Sequence, residues 1–189
     1  MLNESIIVFG FPGTGKSYAC KLEEELDLKL QDSDSSHFHW MYEKDDFKDP
    51  IFDEKGNKIP HPEWPMNYAK YIEITGREID NNPDYIFVST HEEVMETIGR
   101  LGFRTFTVVP WPDDKDHYLR LYAARGSSQE FIDNLDVNWK KFIDGTIARA
   151  SKIGSTVIYV RANGNNKNIT DLLKNNAFKN IIDPLEFDN

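Results

Sequence analysis

Cysteine is almost absent from this chain of 189 residues, which carries only Cys20. No intramolecular disulfide can form, so an apolar core must hold the fold, and a reducing cytoplasm is the expected setting. A lone thiol in helical sequence is expected to face a sheet as a small hydrophobe. Long apolar runs are also missing. Nothing approaches the roughly 20 residues needed to cross a bilayer, so no membrane partner is expected. The chain runs almost at once into β-branched sequence at Ser5-Ile6-Ile7, leaving nothing that reads as a signal peptide. Positive charge is in deficit: 22 Lys and Arg against 32 Asp and Glu give a net charge of −10. Phosphate backbones demand a basic face, so duplex nucleic acid is not the expected partner. A nucleotide stays open, because a few local cations can hold a triphosphate inside an acidic envelope.

What is present starts with Gly10-Phe11-Pro12-Gly13-Thr14-Gly15-Lys16-Ser17, which fits G-x-x-x-x-G-K-[ST]. An apolar β-branched run, Ser5 to Phe9, precedes it, and helical periodicity follows from Lys16 to about Glu25. Glycines let backbone N–H groups curl around a phosphate, and the helix start adds its positive end. Gly10, Pro12, Gly13, Thr14, Gly15, Lys16, Ser17 and Tyr18 are therefore the candidate nucleotide-binding set. Lys16 is placed to reach the β- and γ-phosphates and Ser17 to ligate Mg²⁺. ATP and Mg²⁺ are the expected cofactors.

Further strands are predicted at Leu26–Asp32, Asp84–Ser89, Phe103–Pro110 and Ser155–Val160. Helices are predicted from Pro65 through Tyr68, Ile72 and Ile79, from His91 behind a Thr90–Glu93 capping box, over Asp114–Arg125 and Ser128–Ala150, and from Ile169. This alternation reads as one α/β domain over 1–189, a three-layer α/β/α sandwich with a five-stranded parallel sheet and the P-loop NTPase fold. Residues 33–65 lack periodicity and read as a substrate or lid insertion, or else as a disordered excursion. Their aromatics Trp40, Tyr42 and Trp64, with Tyr68, either stack on a base or fill a satellite core. The stripe at 131, 132, 135, 139, 142 and 143 reads as core.

Ligands of open parallel sheets lie beyond the carboxyl ends of the strands. After the second predicted strand stand Asp32-Ser33-Asp34, with carboxylates at i and i+2 on one side of the sheet. One can meet Mg²⁺ or its waters, and one can act as general base or hold an acceptor hydroxyl. Asp32 is the first choice for the metal. Ser89-Thr90-His91 follows the third strand, where an acid would be usual and is missing. Over 113–127 an arginine lid is expected, with Arg120 and Arg125 stabilising the transferred phosphoryl.

The glycine loop, the acidic pair and the arginine helix together resemble the nucleoside monophosphate kinase-like branch of P-loop proteins, above all small phage-type nucleotide kinases. Shikimate, gluconate and adenylate kinases are more distant members. A glycine triplet after strand three and an Asp-Gly-x-Pro-Arg lid are absent, which argues against shikimate kinase and adenylate kinase. Asn165-Asn166-Lys167-Asn168 lacks the aspartate of a guanine-binding Asn-Lys-x-Asp. The resemblance implies transfer of the γ-phosphate of ATP to a small acceptor, a (deoxy)nucleoside monophosphate first. Another small metabolite, a polynucleotide 5′-end, or a regulatory module that holds ATP without turnover are the alternatives.

Overall fold

The computed structural model describes residues 4–44, 47–78 and 80–182. Five parallel strands form one sheet in the order β2-β3-β1-β4-β5: β1 Ile6–Gly10, β2 Leu30–Asp32, β3 Tyr85–Val88, β4 Thr105–Pro110 and β5 Thr156–Val160. The helices are α1 Lys16–Cys20, α2 Glu23–Leu26, α3 Ser36–His39, α4 Met66–Gly76, α5 Glu92–Gly99, α6 Lys115–Ala124, α7 Gln129–Lys152, α8 Ile169–Lys174 and α9 Ala177–Ile182.

Alternation along β1 and β3 sorts the core into two layers, as the period of two requires. Val8 and Phe87 face one way and pack with Ala19, Ile169, Leu172 and Phe178 of α1, α8 and α9. Ile7, Phe9, Ile86 and Val88 face the other way and meet α4, α5 and α7 through Tyr68, Ile72, Val94, Met95, Ile98 and Ala150. A third cluster (Phe11, Tyr118, Tyr122, Leu135, Trp139, Ile143) anchors α6 on α7. The expected α/β/α layering is therefore observed.

Several expected boundaries move. The first helix breaks after Cys20, and Glu23 at the start of α2 accepts a 2.8 Å hydrogen bond from Leu30 N, which ties it to β2. Strand β2 begins at Leu30 rather than Leu26, because Asp27 turns the chain with φ +51°. The Thr90–Glu93 box does not form. His91 is the N-cap of α5 with no side-chain cap bond, and Glu93 Oε2 instead accepts from Trp64 Nε1 at 2.6 Å. Helix α4 ends at Gly76, and Ile79 lies outside the described residues.

From β1 the chain crosses to β2 on one side, and from β3 it crosses to β4 on the other. The carboxyl ends of β1 and β3 thus flank the switch point where such sheets open a crevice. Register sets what meets there. Phe9 pairs with Val88 and Asp32 with Phe87, so Gly10, Ser89 and Asp34 emerge at one level.

Candidate functional site

Between β1 and α1 the chain must turn tightly at residues 11–15, and two glycines permit it. Gly13 and Gly15 hold φ of +81° and +99°, which L side chains adopt only under strain. The loop is tied from several directions. Thr14 Oγ1 donates to Phe11 O at 2.7 Å, Ile169 N donates to Thr14 O at 2.9 Å, and Tyr122 Oη donates to Pro12 O at 2.6 Å. Thr14 is fully buried, so its side chain shapes the loop instead of facing the cleft. The Lys16 ammonium donates to Gly10 O at 2.6 Å.

A cleft of about 650 Å³ lies against this loop. Pro12, Gly13, Gly15, Lys16, Ser17 and Tyr18 form one wall. Asp32, Ser33 and Asp34 at the end of β2 and Ser89 after β3 form the acidic and hydroxyl part of the lining. Leu121, Tyr122, Arg125, Ser127 and Phe131 close the lid side. Of the residues expected at the site, Pro12, Gly13, Gly15, Lys16, Ser17, Tyr18, Asp32, Asp34 and Arg125 meet in one cleft. Gly10 stands behind it as the partner of Lys16.

Charges converge on Lys16. Enclosure by the loop pushes its pKa down, the carboxylates of Asp32 and Asp34 push it back up, and Arg125 lowers it again. The two acids offset part of this lowering, in which burial is the largest cause. Cys20, beneath the loop, packs against the core, and burial followed by the Asp32 and Glu23 charges raises its thiol to about 12.

Behind the acidic wall, hydroxyls form a small network. Ser35 Oγ, fully buried, lies 2.7 Å from Ser89 Oγ, and each is 3.5 Å from His91 Nδ1. Burial lowers the His91 pKa, opposed by Asp34, and the imidazole accordingly favours its neutral form. Tyr68 is buried at the core and donates to Ser33 O at 3.1 Å, which fixes the segment that carries the acids. Ser33 Oγ is buried beside the cleft with no hydrogen-bond partner among the described residues.

Arg120 does not join this assembly; it is exposed and lines no part of the cleft. Five residues at about 100° each place it roughly 140° around the helix from Arg125, so the two cannot share a face. Tyr118 and Tyr122, four residues apart, occupy the buried side. Only the end of the expected arginine lid, from Leu121 to Ser127, faces the cleft.

Sequence reasoning missed Lys21, which lines the cleft, although its position one turn beyond Ser17 was a usable signal. It also missed Tyr122 and Phe131, whose roles depend on how α6 crosses α7. Phe131 and Phe142 were assigned to core, yet they are 38% and 37% exposed. They line a hollow of about 260 Å³ that shares Pro12 and Phe131 with the cleft.

The segment 33–65 folds largely on itself. Antiparallel bridges join Trp40 to Pro60, Tyr42 to Pro50 and Phe52 to Lys58, and Asp53 closes the turn by accepting from Lys55 N and Asn57 N at 2.8 Å each. Trp64 and Tyr68 belong to the core layer over α4, whereas Trp40 and Tyr42 line a separate hollow of about 300 Å³.

No group of three or more His, Cys, Asp or Glu among the described residues forms a metal cage. Ser17 and Asp32, both lining the cleft, fit a Mg²⁺ ion that keeps several waters and takes further oxygens from phosphates. No helix is long and apolar enough to cross a membrane among the described residues.

No protein-family model and no curated protein matches the chain. Among solved structures, the tunicamycin resistance protein of Deinococcus radiodurans is similar at 14% identity. It covers 92% of this chain and 95% of that one, with a TM-score of 0.52. A de novo designed P-loop NTPase fold protein matches at 12% identity, 92% of each chain and a TM-score of 0.41. A gluconokinase from Sinorhizobium meliloti 1021 matches at 11% identity, 98% of this chain and 99% of that one, with a TM-score of 0.39. At these identities the likeness is one of fold, and the two lower scores add nothing to it. With a parallel five-stranded sheet, helices on both faces and a phosphate-binding loop between β1 and α1, the chain has the P-loop NTPase fold.

Proposed function

We propose that the chain is an ATP-dependent phosphotransferase acting on a small acceptor. One observation carries this reading: Lys16, Ser17, Asp32, Asp34 and Arg125 line a single cleft. Backbone N–H groups of the loop and Lys16 take the β- and γ-phosphates. Ser17 and Asp32 hold the Mg²⁺, which neutralises charge on the phosphate oxygens when bound. Arg125 spreads over the equatorial oxygens as charge shifts toward the leaving group. Asp34 stands opposite as the carboxylate that orients the acceptor and accepts its proton.

A carboxylate pair lining the same cleft as the phosphate lysine supplies a general base for transfer, which a regulatory ATP-binding module does not need. Two acceptor classes remain: the nucleoside monophosphate that the resemblance implies, and a hydroxyl-bearing metabolite. They differ in where cations must stand.

ADP formation from Mg·ATP, measured against nucleoside monophosphates and small metabolites, tests the reading. Release of ADP that depends on one acceptor supports it. Equal ATP loss with and without every acceptor makes the protein an ATPase and refutes it.

A further inference from the structure

We propose that the acceptor is an uncharged, multiply hydroxylated molecule, held by hydroxyl donation to Asp34 and its neighbours, and not a phosphate monoester. The inference rests on the phosphotransferase reading and concerns the other half of the same site. The cations that line the cleft are Lys16 and Lys21, on and just after the phosphate loop, and Arg125 on the lid. The lining residues that follow β2 and β3 are Asp32, Ser33, Asp34 and Ser89, and none is cationic. Arg149, in the adjoining hollow, is paired with Glu92 at 3.1 Å.

A phosphate dianion placed here would meet the Asp34 carboxylate, and no cation among the lining residues at these strand ends offsets that repulsion. A sugar-like or nucleoside-like face presents what the wall lacks, namely hydroxyl donors. Asp34 Oδ1 already accepts from Ser36 N at 2.9 Å, which fixes the carboxylate and leaves Oδ2 for a ligand. Ser33 lines the cleft, and its Oγ is buried with no hydrogen-bond partner among the described residues, an unsatisfied group beside the two acids. Ser89 Oγ is oriented by Ser35 and His91, so its free capacity also points to a polar group. Polar lining residues with no cation beside them at the strand ends suit several hydroxyls on one small molecule.

The transfer step balances. The acceptor hydroxyl oxygen forms the new bond to the γ-phosphorus while the bond from that phosphorus to the β,γ-bridging oxygen breaks. The bridging electron pair leaves with ADP, and the hydroxyl proton passes to Asp34 and then to water.

The test is paired binding to protein loaded with Mg·AMP-PNP, measured by calorimetry. Nucleosides are compared with their 5′-monophosphates, and hexoses with their 6-phosphates. At least one uncharged compound is expected to bind, more tightly than its phosphorylated partner. Asp34→Asn is expected to weaken that binding ~10–100-fold, the range of a charge-assisted hydrogen bond. Ser33→Ala supplies a variant that keeps the fold: its melting temperature stays level or rises, since an unsatisfied hydroxyl is removed, while affinity for the uncharged compound falls. Tighter binding of the monophosphates overturns the proposal, as does a set in which no uncharged compound binds. Failure of Mg·AMP-PNP itself to bind would instead overturn the phosphotransferase reading.

Discussion

The Tyr122 hydroxyl donates a 2.6 Å hydrogen bond to the Pro12 carbonyl, so α6 grips the phosphate loop directly. Its ring belongs to the cluster that fastens α6 to α7, and the loop is thereby braced by the lid-side helices. Tyr122→Phe is expected to lower stability by about 1 kcal/mol, or roughly 2–4 °C in melting temperature. It should also raise the KM for ATP more than it lowers kcat. Thermal melts with and without Mg·ATP check this, and an unchanged melt with unchanged KM would deny the brace.

Arg125 and Arg120 should separate cleanly. Both are exposed, but Arg125, the C-cap of α6, lines the cleft and Arg120 does not. Arg125→Ala is expected to reduce kcat by about 10²–10³, the scale of one lost charge-stabilising donor. Arg120→Ala should leave kcat within about twofold, as surface changes usually do. Steady-state rates of the two variants decide the assignment.

Gly15→Ala meets two obstacles at once. The backbone sits at φ +99°, and a Cβ would lie 3.2 Å from Asn168 Cβ, against the start of α8. A loss of about 1–3 kcal/mol is expected, together with loss of Mg·ATP stabilisation. Chemical denaturation of the variant, with and without nucleotide, measures both.

Cys20 should be a poor nucleophile despite being the only thiol. Burial and the neighbouring acids raise its folded pKa to about 12, against about 8.5 for an unfolded cysteine. The folded state therefore favours the protonated thiol. That preference contributes stability in full below about pH 8.5 and loses it as the pH rises through the folded value. Thiolate-dependent labelling at pH 8 should be much slower in the native protein than in urea. Similar rates in the two conditions would contradict the packing beneath the loop.

Much of the fold was legible because its signals are local. Buried parallel strands declare themselves as apolar runs, and the glycine spacing before Lys16-Ser17 marks the loop, so the layering and the glycine loop between β1 and α1 followed from pattern alone. The acids Asp32 and Asp34 were findable from the rule that ligands lie beyond strand ends. What failed depended on tertiary direction. Nothing in the sequence says around which side of α6 Arg120 points, and only the packing of Tyr118 and Tyr122 on Trp139 fixes it. The Thr90–Glu93 capping box lost to a tertiary partner, Trp64, which no local rule anticipates. Lys21 and Phe131 entered the site only when the break after Cys20 and the crossing of α7 were known.

In the proposed reaction the γ-phosphate leaves ATP for an organic acceptor in the cleft that Lys16, Asp32 and Asp34 line. The most direct measurement follows γ-labelled ATP in the presence of a small-metabolite extract, using wild type and Lys16→Ala. Label in an organic phosphate ester with wild type, and none with a Lys16→Ala variant that melts normally, is the predicted result. Label that stays in ATP or appears only as inorganic phosphate, or an active Lys16→Ala variant, would contradict the account.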